Sequence, residues 1–370
     1  MTGPARDPAA AAENAFVEFG PTGTPGTDAF WAAARGPASV PAGDGGWVTL
    51  FLWRGSAATI GFESWSEPVP LRRWGDTDCW YARVRMPERL RVTYQFLVDD
   101  EAYADPFNPV GAGVDRSVAA TPDAPAQPHW PAVGAEDVLP VPRTRLRWNS
   151  ERLGGRRTVR VHPVGGGGPV VLLLDGDDWL YLHPAMSAFD SAFARGEMPP
   201  VTLVFLPAKD RAAEFACGSG LWEAVRDELL PLVAESGVTA DPGRLVVAGQ
   251  SLGGLSALNA ALEFPELVSR VACQSGSFWW TPGAPALADP LAGPAGGAVA
   301  ARLRERPDLS GLRIAFDVGE HETRMLPHCE PVETLAELAG ATVRVSRSAS
   351  GHDRAGWRHA LLRDVAWALG

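Results

Sequence analysis

One segment, RLVVAGQSLGGLSALNAALEF (residues 244–264), constrains the fold of this chain more than any other. Its start, RLVVA, is a short apolar run of the kind that forms a strand covered on both faces. Its end, GLSALNAALEF, has helical composition. Between them Gly249-Gln250-Ser251-Leu252-Gly253 matches G-x-S-x-G. A chain that passes from strand to helix in so few residues must turn sharply. Small residues at 249 and 253 allow the two elements to approach, and the serine at the apex is held in a strained geometry with its hydroxyl projecting from the sheet. The backbone N–H of Leu252 then points toward a developing oxyanion, and the helix N-terminus adds a favourable dipole. The same pentapeptide also occurs as a glycine-rich turn with a serine N-cap. The flanking strand and helix, and a histidine downstream, favour Ser251 as a nucleophile.

Further apolar runs extend the pattern. RRTVRVH (156–162), PVVLLL (169–174) and VTLVFL (201–206) read as strands, and LWEAVRDELLPLVA (221–234) reads as a helix. Strands alternating with helices predict an α/β domain, a mostly parallel sheet with helices on both faces, over residues 146–370. The N-terminal part has another rhythm. WVTLFLWR (47–54), DCWYARVR (78–85) and RVTYQFL (91–97) are separated by turn signals with no helical period between them. They predict a small all-β sandwich over residues 25–110. The Pro/Ala-rich residues 111–145 read as a linker, and residues 1–24 as a loosely ordered extension.

In α/β-hydrolases the triad runs serine, acid, histidine along the chain. After Ser251 come His321, His328, His352 and His359. His352 lies in SGHD, between the strand-like TVRVSRS (342–348) and the final helix, where the base is expected. His359 falls inside that helix and reads as a packing residue. The acid should follow the strand LRIAFDVG (312–319), which offers Asp317, Glu320 and Glu322. Glu322 is favoured because it sits on the loop, free to reach an imidazole; Asp317 lies within the strand. A second oxyanion donor is expected in the loop Leu174–Trp179, from the N–H of Gly176 or Asp177.

Composition removes other classes. With 370 residues and a formal net charge of −11, a broad nucleic-acid-binding face is not expected. The N-terminus lacks a basic start and an apolar run, which predicts no standard export signal and a cytoplasmic protein. No stretch has the length and apolarity of a membrane span. The four cysteines are scattered with no CxxC pair, so reduced thiols are expected. No His/Cys/Asp group has ligand spacing, and neither metal nor cofactor is expected.

Several of these stretches together resemble one family. LLLDGDDW (172–179), RAAEF (211–215), LWEAVRDELLPLV (221–233), VVAGQSLGGLSAL (246–258), CQSGSFWW (273–280) and SGHDRAGWR (350–358) are similar to the enterochelin (ferric enterobactin) esterases. FLWR (51–54), DTDCW (76–80) and DPFNP (105–109) extend the resemblance to residues 25–370. It implies an early-set immunoglobulin-like β-sandwich joined to an α/β-hydrolase domain. It also implies hydrolysis of a catecholate siderophore trilactone in the cytoplasm to release iron.

By position the resemblance places the nucleophile on Ser251 and the base on His352. It supports Glu322 through the loop 319–322 and leaves Asp317 open. Arg211 matches a position suited to anionic groups of the substrate, or equally a surface salt bridge beside a helix. Arg324, Arg354 and Arg358 are further cations near site loops. Trp179, Trp222, Trp279 and Trp280 are candidates for stacking on catechol rings. The sandwich is expected to supply binding surface and no chemistry.

Three departures concern the pocket: Asp178-Trp179 in place of two aromatics, the soft Gly218-Ser219-Gly220, and the Pro/Gly/Ala-rich segment 281–298. They leave open a second reading, a hydrolase or acyltransferase acting on another ester or macrolactone.

Overall fold

The apolar runs become strands because each can bury alternate side chains on opposite faces of a sheet. The computed structural model describes residues 16–43, 45–63, 67–111, 115–130, 142–283, 293–305 and 308–370. The described residues form two units. Those between 16 and 126, together with Ala349–Ala355, make up the first. Those between 127 and 348, with Gly356–Gly370, make up the second.

The second unit is built on an eight-stranded sheet. Its strands are β10 (Thr144–Asn149), β11 (Arg156–Val164), β12 (Val170–Leu173), β13 (Val201–Phe205), β14 (Val246–Gln250), β15 (Arg270–Gln274), β16 (Arg313–Gly319) and β17 (Thr342–Ser348). Their order is β10-β11-β13-β12-β14-β15-β16-β17. The contacts of β11 with β10 and β13 are antiparallel, and the pairings from β13 through β17 are parallel.

The run 170–174 shows why a doubly covered strand reads as continuously apolar. Val170, Leu172 and Leu174 join one buried cluster, and Val171 and Leu173 join another. The first cluster takes in helix α6 (Leu252–Glu263), and the second takes in α2 (Ala185–Ala194) and most of α9 (Arg354–Leu369). Between α2 and α6 lie α3 (Arg211–Phe215), α4 (Leu221–Ala224) and α5 (Leu230–Glu235); α7 (Gly297–Glu305) and α8 (Leu326–Leu338) follow α6.

The expected single helix over 221–234 is interrupted. Val225–Leu229 forms a π-helical turn between α4 and α5. Pro231 explains it, since proline has no N–H to donate and its ring crowds the carbonyl four residues back, so the turn widens.

The first unit has two antiparallel sheets. One has the order β1-β2-β6-β5, and the other β4-β3-β7-β8 with β9 on β7. The strands are β1 (Ala38–Pro41), β2 (Trp47–Arg54), β3 (Thr59–Phe62), β4 (Val69–Pro70), β5 (Arg72–Arg73), β6 (Cys79–Met86), β7 (Arg91–Val98), β8 (Glu101–Tyr103) and β9 (Ser117–Ala120). Phe51, Ile60, Val84, Val92, Tyr94 and Phe96 fill the space between the sheets.

Two expectations need correction here. The extension is ordered from Phe16 onward: Phe16 and Phe19 are buried with Phe30, Trp31 of helix α1 (Asp28–Ala33), Leu50 and Cys79. Aromatic area of this size is buried rather than left in water. The expected linker begins with a strand, since Ser117–Ala120 pairs with β7 from Tyr94 to Arg91. Residues 1–15 and 131–141 lie outside the described residues, as does 284–292 within the Pro/Gly/Ala-rich segment. All four cysteines are free. Among the described residues, no helix is long and apolar enough to cross a membrane.

A polar cluster ties β16 and β17 to α9. The Asp317 carboxylate accepts hydrogen bonds from Ser346 Oγ (2.9 Å), Ser348 Oγ (2.8 Å) and Arg363 Nη2 (3.0 Å). Asp364, fully buried, accepts one bond from Arg363 Nε at 2.9 Å. Burial, with Asp317 as a further negative neighbour, pushes the Asp364 carboxyl up to about 7 against the pull of Arg363. Its folded pKa therefore lies above the ordinary aspartate value of about 4, so the folded state binds this proton more tightly. The stability it contributes is complete below about pH 4 and is lost as pH rises through about 7. Asp364→Asn should flatten this slope. The difference in melting temperature between variant and wild type should shift in the variant's favour from pH 5 to pH 8, and parallel melting curves would contradict it.

Candidate active site

At the end of β14 the backbone turns at Ser251, with φ 56° and ψ −121°. Such a conformation costs an L-residue about 1–3 kcal/mol and needs support from its surroundings. Ser251 N donates to Gln274 O at 3.0 Å, and Ser251 O accepts from Ser277 N and Leu255 N, each at 3.0 Å. Close approach makes glycine obligatory at 249, where a Cβ would lie 2.2 Å from Gly253 O. The other tight position is Gly254, where a Cβ would lie 3.0 Å from Cys273 Sγ and Gly276 Cα. At 253, the position the motif suggests, a Cβ would make only ordinary contacts. The Ser251 hydroxyl is 3.2 Å from Ser277 Oγ. Leu252 opens α6, so its amide has no partner within the helix.

The loop after β12 corrects one expectation. Gly176 N donates to Leu206 O at 2.9 Å, so this amide is spent on the backbone and is not an oxyanion donor. Asp177 remains from the expected pair. It precedes the short helical turn Asp178–Leu182, where amides lack intrahelical partners.

Arg211 is engaged as well. Its guanidinium grips Asp175 through Nε (2.7 Å) and Nη2 (2.8 Å), and Nη2 also donates to Gln250 O at 3.1 Å. Asp175 has φ 53° and is largely buried. Arg211 therefore clamps the loop that carries Asp177 to the residue before Ser251. The salt bridge weighed as an alternative is present, with Asp175 buried and the Arg211 side chain about one-third exposed.

Of the three carboxylate candidates Glu320 is exposed, and the other two separate by their partners. Asp317 is committed to Ser346, Ser348 and Arg363. Glu322, on the loop after β16, accepts from Gly319 N at 2.7 Å and Ser275 Oγ at 2.5 Å, both on Oε1. Ser275 in turn accepts from Trp357 Nε1 at 2.8 Å. A buried ladder leads to the same residues. Trp179 Nε1 donates to Gln250 Oε1 (2.9 Å), Gln250 Nε2 to Gln274 Oε1 (2.8 Å), and Gln274 Nε2 to Trp357 O (2.9 Å). Each polar group is paired, which makes burial tolerable and fixes every orientation. Beside Glu322, burial pushes the His321 imidazole below its ordinary value, with Glu320 opposing.

The tryptophans are core residues. Trp179 is fully buried and Trp222 nearly so, with its Nε1 on Ser256 Oγ at 3.1 Å. Trp279 and Trp280 belong to the same apolar cluster as Trp222. Their rings fill the interior. Arg358 is buried with its guanidinium over Trp130. His352 and Arg354 lie in the segment Ala349–Ala355 that belongs to the first unit. Sequence reasoning passed over Ser275, Ser277, Gln274 and Trp357 as functional residues. Their signal was present, because all four fall in the quoted stretches CQSGSFWW and SGHDRAGWR.

Comparisons with known proteins bear on the family and the fold. The family model Esterase, described as "Putative esterase", matches residues 150–368. The iron(III) enterobactin esterase of Dickeya dadantii is 29% identical over 93% of this chain and 93% of that protein. That of Escherichia coli K12 is 28% identical over 92% and 96%. Among solved structures, the enterobactin esterase of Shigella flexneri in the presence of enterobactin has a TM-score of 0.78 at 27% identity, covering 92% of this chain and 97% of that one. The ferric enterobactin esterase of Salmonella typhimurium also has a TM-score of 0.78 at 27% identity, covering 92% and 98%. The fold is of the α/β-hydrolase type, preceded by an antiparallel β region.

The different partners of the two carboxylates predict different failures. Glu322→Gln should keep the fold and lower kcat on a small aryl ester by roughly 10- to 10³-fold. Asp317→Asn should instead cost about 1–3 kcal/mol of stability, because Arg363 loses a charged partner. Melting curves and kcat measured on both variants check this. A silent Glu322→Gln beside a severe, well-folded Asp317→Asn would move the acid onto the strand.

Proposed function

The chain belongs to the esterase family, and from that membership we propose that it hydrolyses the ester bonds of a catecholate siderophore trilactone, releasing iron in the cytoplasm. The observation that carries this reading is the extent of the similarity. Proteins named as iron(III) enterobactin esterases match this chain over nine-tenths of both lengths, through both units.

In the proposed mechanism, Ser251 Oγ attacks the ester carbonyl while His352 accepts its proton. The amides of Leu252 and Asp177 receive the developing oxyanion. Collapse of the tetrahedral intermediate expels the alkoxide, protonated by His352, and leaves an acyl-serine. Water activated by His352 then releases the acid and restores the enzyme. Glu322 orients the imidazole and stabilises its cationic form. The constrained turn at Ser251, with its hydroxyl at the strand end, supports this assignment.

Substrate charge needs local compensation. A ferric tris-catecholate is an anion and the chain carries a net charge of −11, but screening at physiological salt limits that field to about 8 Å. Arg354, on the histidine loop, and Arg211, whose side chain stays about one-third exposed beside Asp175, are the cations we assign to the substrate. The bidentate hold of Arg211 on Asp175 and the burial of the four tryptophans favour a second reading, a hydrolase or acyltransferase for another ester or macrolactone.

Product analysis with a catecholate trilactone, apo and ferric, decides between them. We expect stepwise release of linear acyl-serines, faster than hydrolysis of a simple aryl ester. An enzyme that cleaves only the aryl ester supports the second reading. Ser251→Ala should lower either activity by roughly 10³-fold or more with an unchanged circular dichroism spectrum. Turnover near the wild-type rate would remove Ser251 from the mechanism.

A further inference from the structure

The segment Ala349–Ala355 lies in sequence between β17 and the body of α9, both in the second unit, yet its contacts place it in the first. The reason lies at one edge of β7. Strand β3 pairs with β7 from Leu97 to Tyr94 and then stops, with Glu63 N adding a last bond to Thr93 O at 2.9 Å. Thr93 N points the same way as its carbonyl and has no strand partner there. A buried amide left in that state costs about as much as a lost hydrogen bond.

The segment supplies what the missing strand does not. Thr93 N donates to Asp353 Oδ2 at 3.3 Å, and Thr93 Oγ1 donates to Asp353 Oδ1 at 3.3 Å. Two residues earlier, Arg91 N donates to Ala349 O at 3.4 Å. Both Thr93 and Asp353 are almost wholly buried. Asp353 Oδ1 also accepts from Ala355 N at 2.6 Å, capping the first turn of α9. Burial lowers the Arg91 pKa, and the neighbouring Asp353 charge acts in the opposite direction. Ala355 packs with Val118 of β9.

Ala349 and Asp353 are thus both pinned to β7, three residues apart from each other in between. Those three are Ser350, Gly351 and His352, and Asp353 N tightens the bridge through a bond to Gly351 O at 3.0 Å. The backbone of His352 is bracketed on both sides by bonds to a strand of the sandwich.

We propose that Thr93 and Asp353 are positioning residues for His352, and that the β-sandwich unit therefore sets the geometry of the catalytic base as well as any binding surface it offers. This rests on the assignment of His352 as the base. It revises the expectation that the sandwich supplies no chemistry, because strand β7 holds both ends of the histidine loop.

The test uses the full chain and a small aryl ester, 4-nitrophenyl butyrate, which is too small to need an extended binding surface. Rates are taken per active site from burst titration, so that unfolded protein does not count. Thr93→Val removes the hydroxyl at nearly constant shape. We expect kcat to fall about 5- to 30-fold with KM within about two-fold, since small misplacements of a reacting group are costly. Thr93→Ser, which keeps the hydroxyl, should restore most of the rate. Labelling of Ser251 by a fluorophosphonate, which needs the same base, should slow in parallel with Thr93→Val.

Should Thr93→Val fold poorly, Asp353→Asn carries the same test. His352→Ala is the control that separates this proposal from the reading beneath it. If His352→Ala is inactive while Thr93→Val and Asp353→Asn turn over at the wild-type rate, the positioning role is overturned and the base assignment stands. If His352→Ala remains active, the base assignment fails and the proposal falls with it. A change confined to KM would also overturn it, since that is the mark of a binding role.

Discussion

Ser251 holds a backbone conformation that an L-residue adopts only under constraint, with φ 56° at the end of a buried strand. The rest of the second unit can be read as the means of holding it there. Bonds to Gln274, Ser277 and Leu255 fix its amide and carbonyl. Gly249 allows strand and helix to meet at a distance that no side chain would permit, and Gly254 eases a tight approach to the turn after β15. Arg211 reaches across to the carbonyl of Gln250 while gripping Asp175. Strain of this kind persists because relaxing it would break several good interactions at once.

The polar interior follows the same logic. A half-satisfied network in a dry core is worse than an apolar one, whereas a fully paired network gives unique orientations. The ladder from Trp179 through Gln250 and Gln274 to Trp357, and from Trp357 through Ser275 to Glu322, is paired at each step. It orients one carboxylate on a loop. A few residues away, Asp317 is spent on joining β16 to β17 and α9. Two acids so close in sequence differ in role because their donors differ, and those donors come from remote parts of the chain.

The segment 349–355 shows that chain order and spatial grouping need not coincide. A strand that stops one residue early leaves an amide to be satisfied, and the chain that satisfies it happens to carry His352. The aromatic cluster at Phe16 and the strand Ser117–Ala120 have a similar origin. Each was read as irregular chain from its composition, and each is ordered because a partner elsewhere in the first unit, the β2 face for one and β7 for the other, is there to receive it.

Much was legible in the sequence because some constraints are local. The strands from 156 to 206, the turn at Gly249–Gly253, the position of Ser251 before α6 and that of Glu322 after β16 follow from period, turn chemistry and chain order within a few residues. The alternating α/β pattern and the upstream β-rich segment followed for the same reason. What composition and spacing could not decide was which polar groups were already taken. Gly176 and Arg211 looked unengaged, yet the amide of one is bonded to Leu206 and the guanidinium of the other grips Asp175. Four tryptophans looked like binding surface, and all are buried. A side chain's type states what it can bond, but its availability depends on residues tens of positions away, and only the tertiary structure brings those within reach.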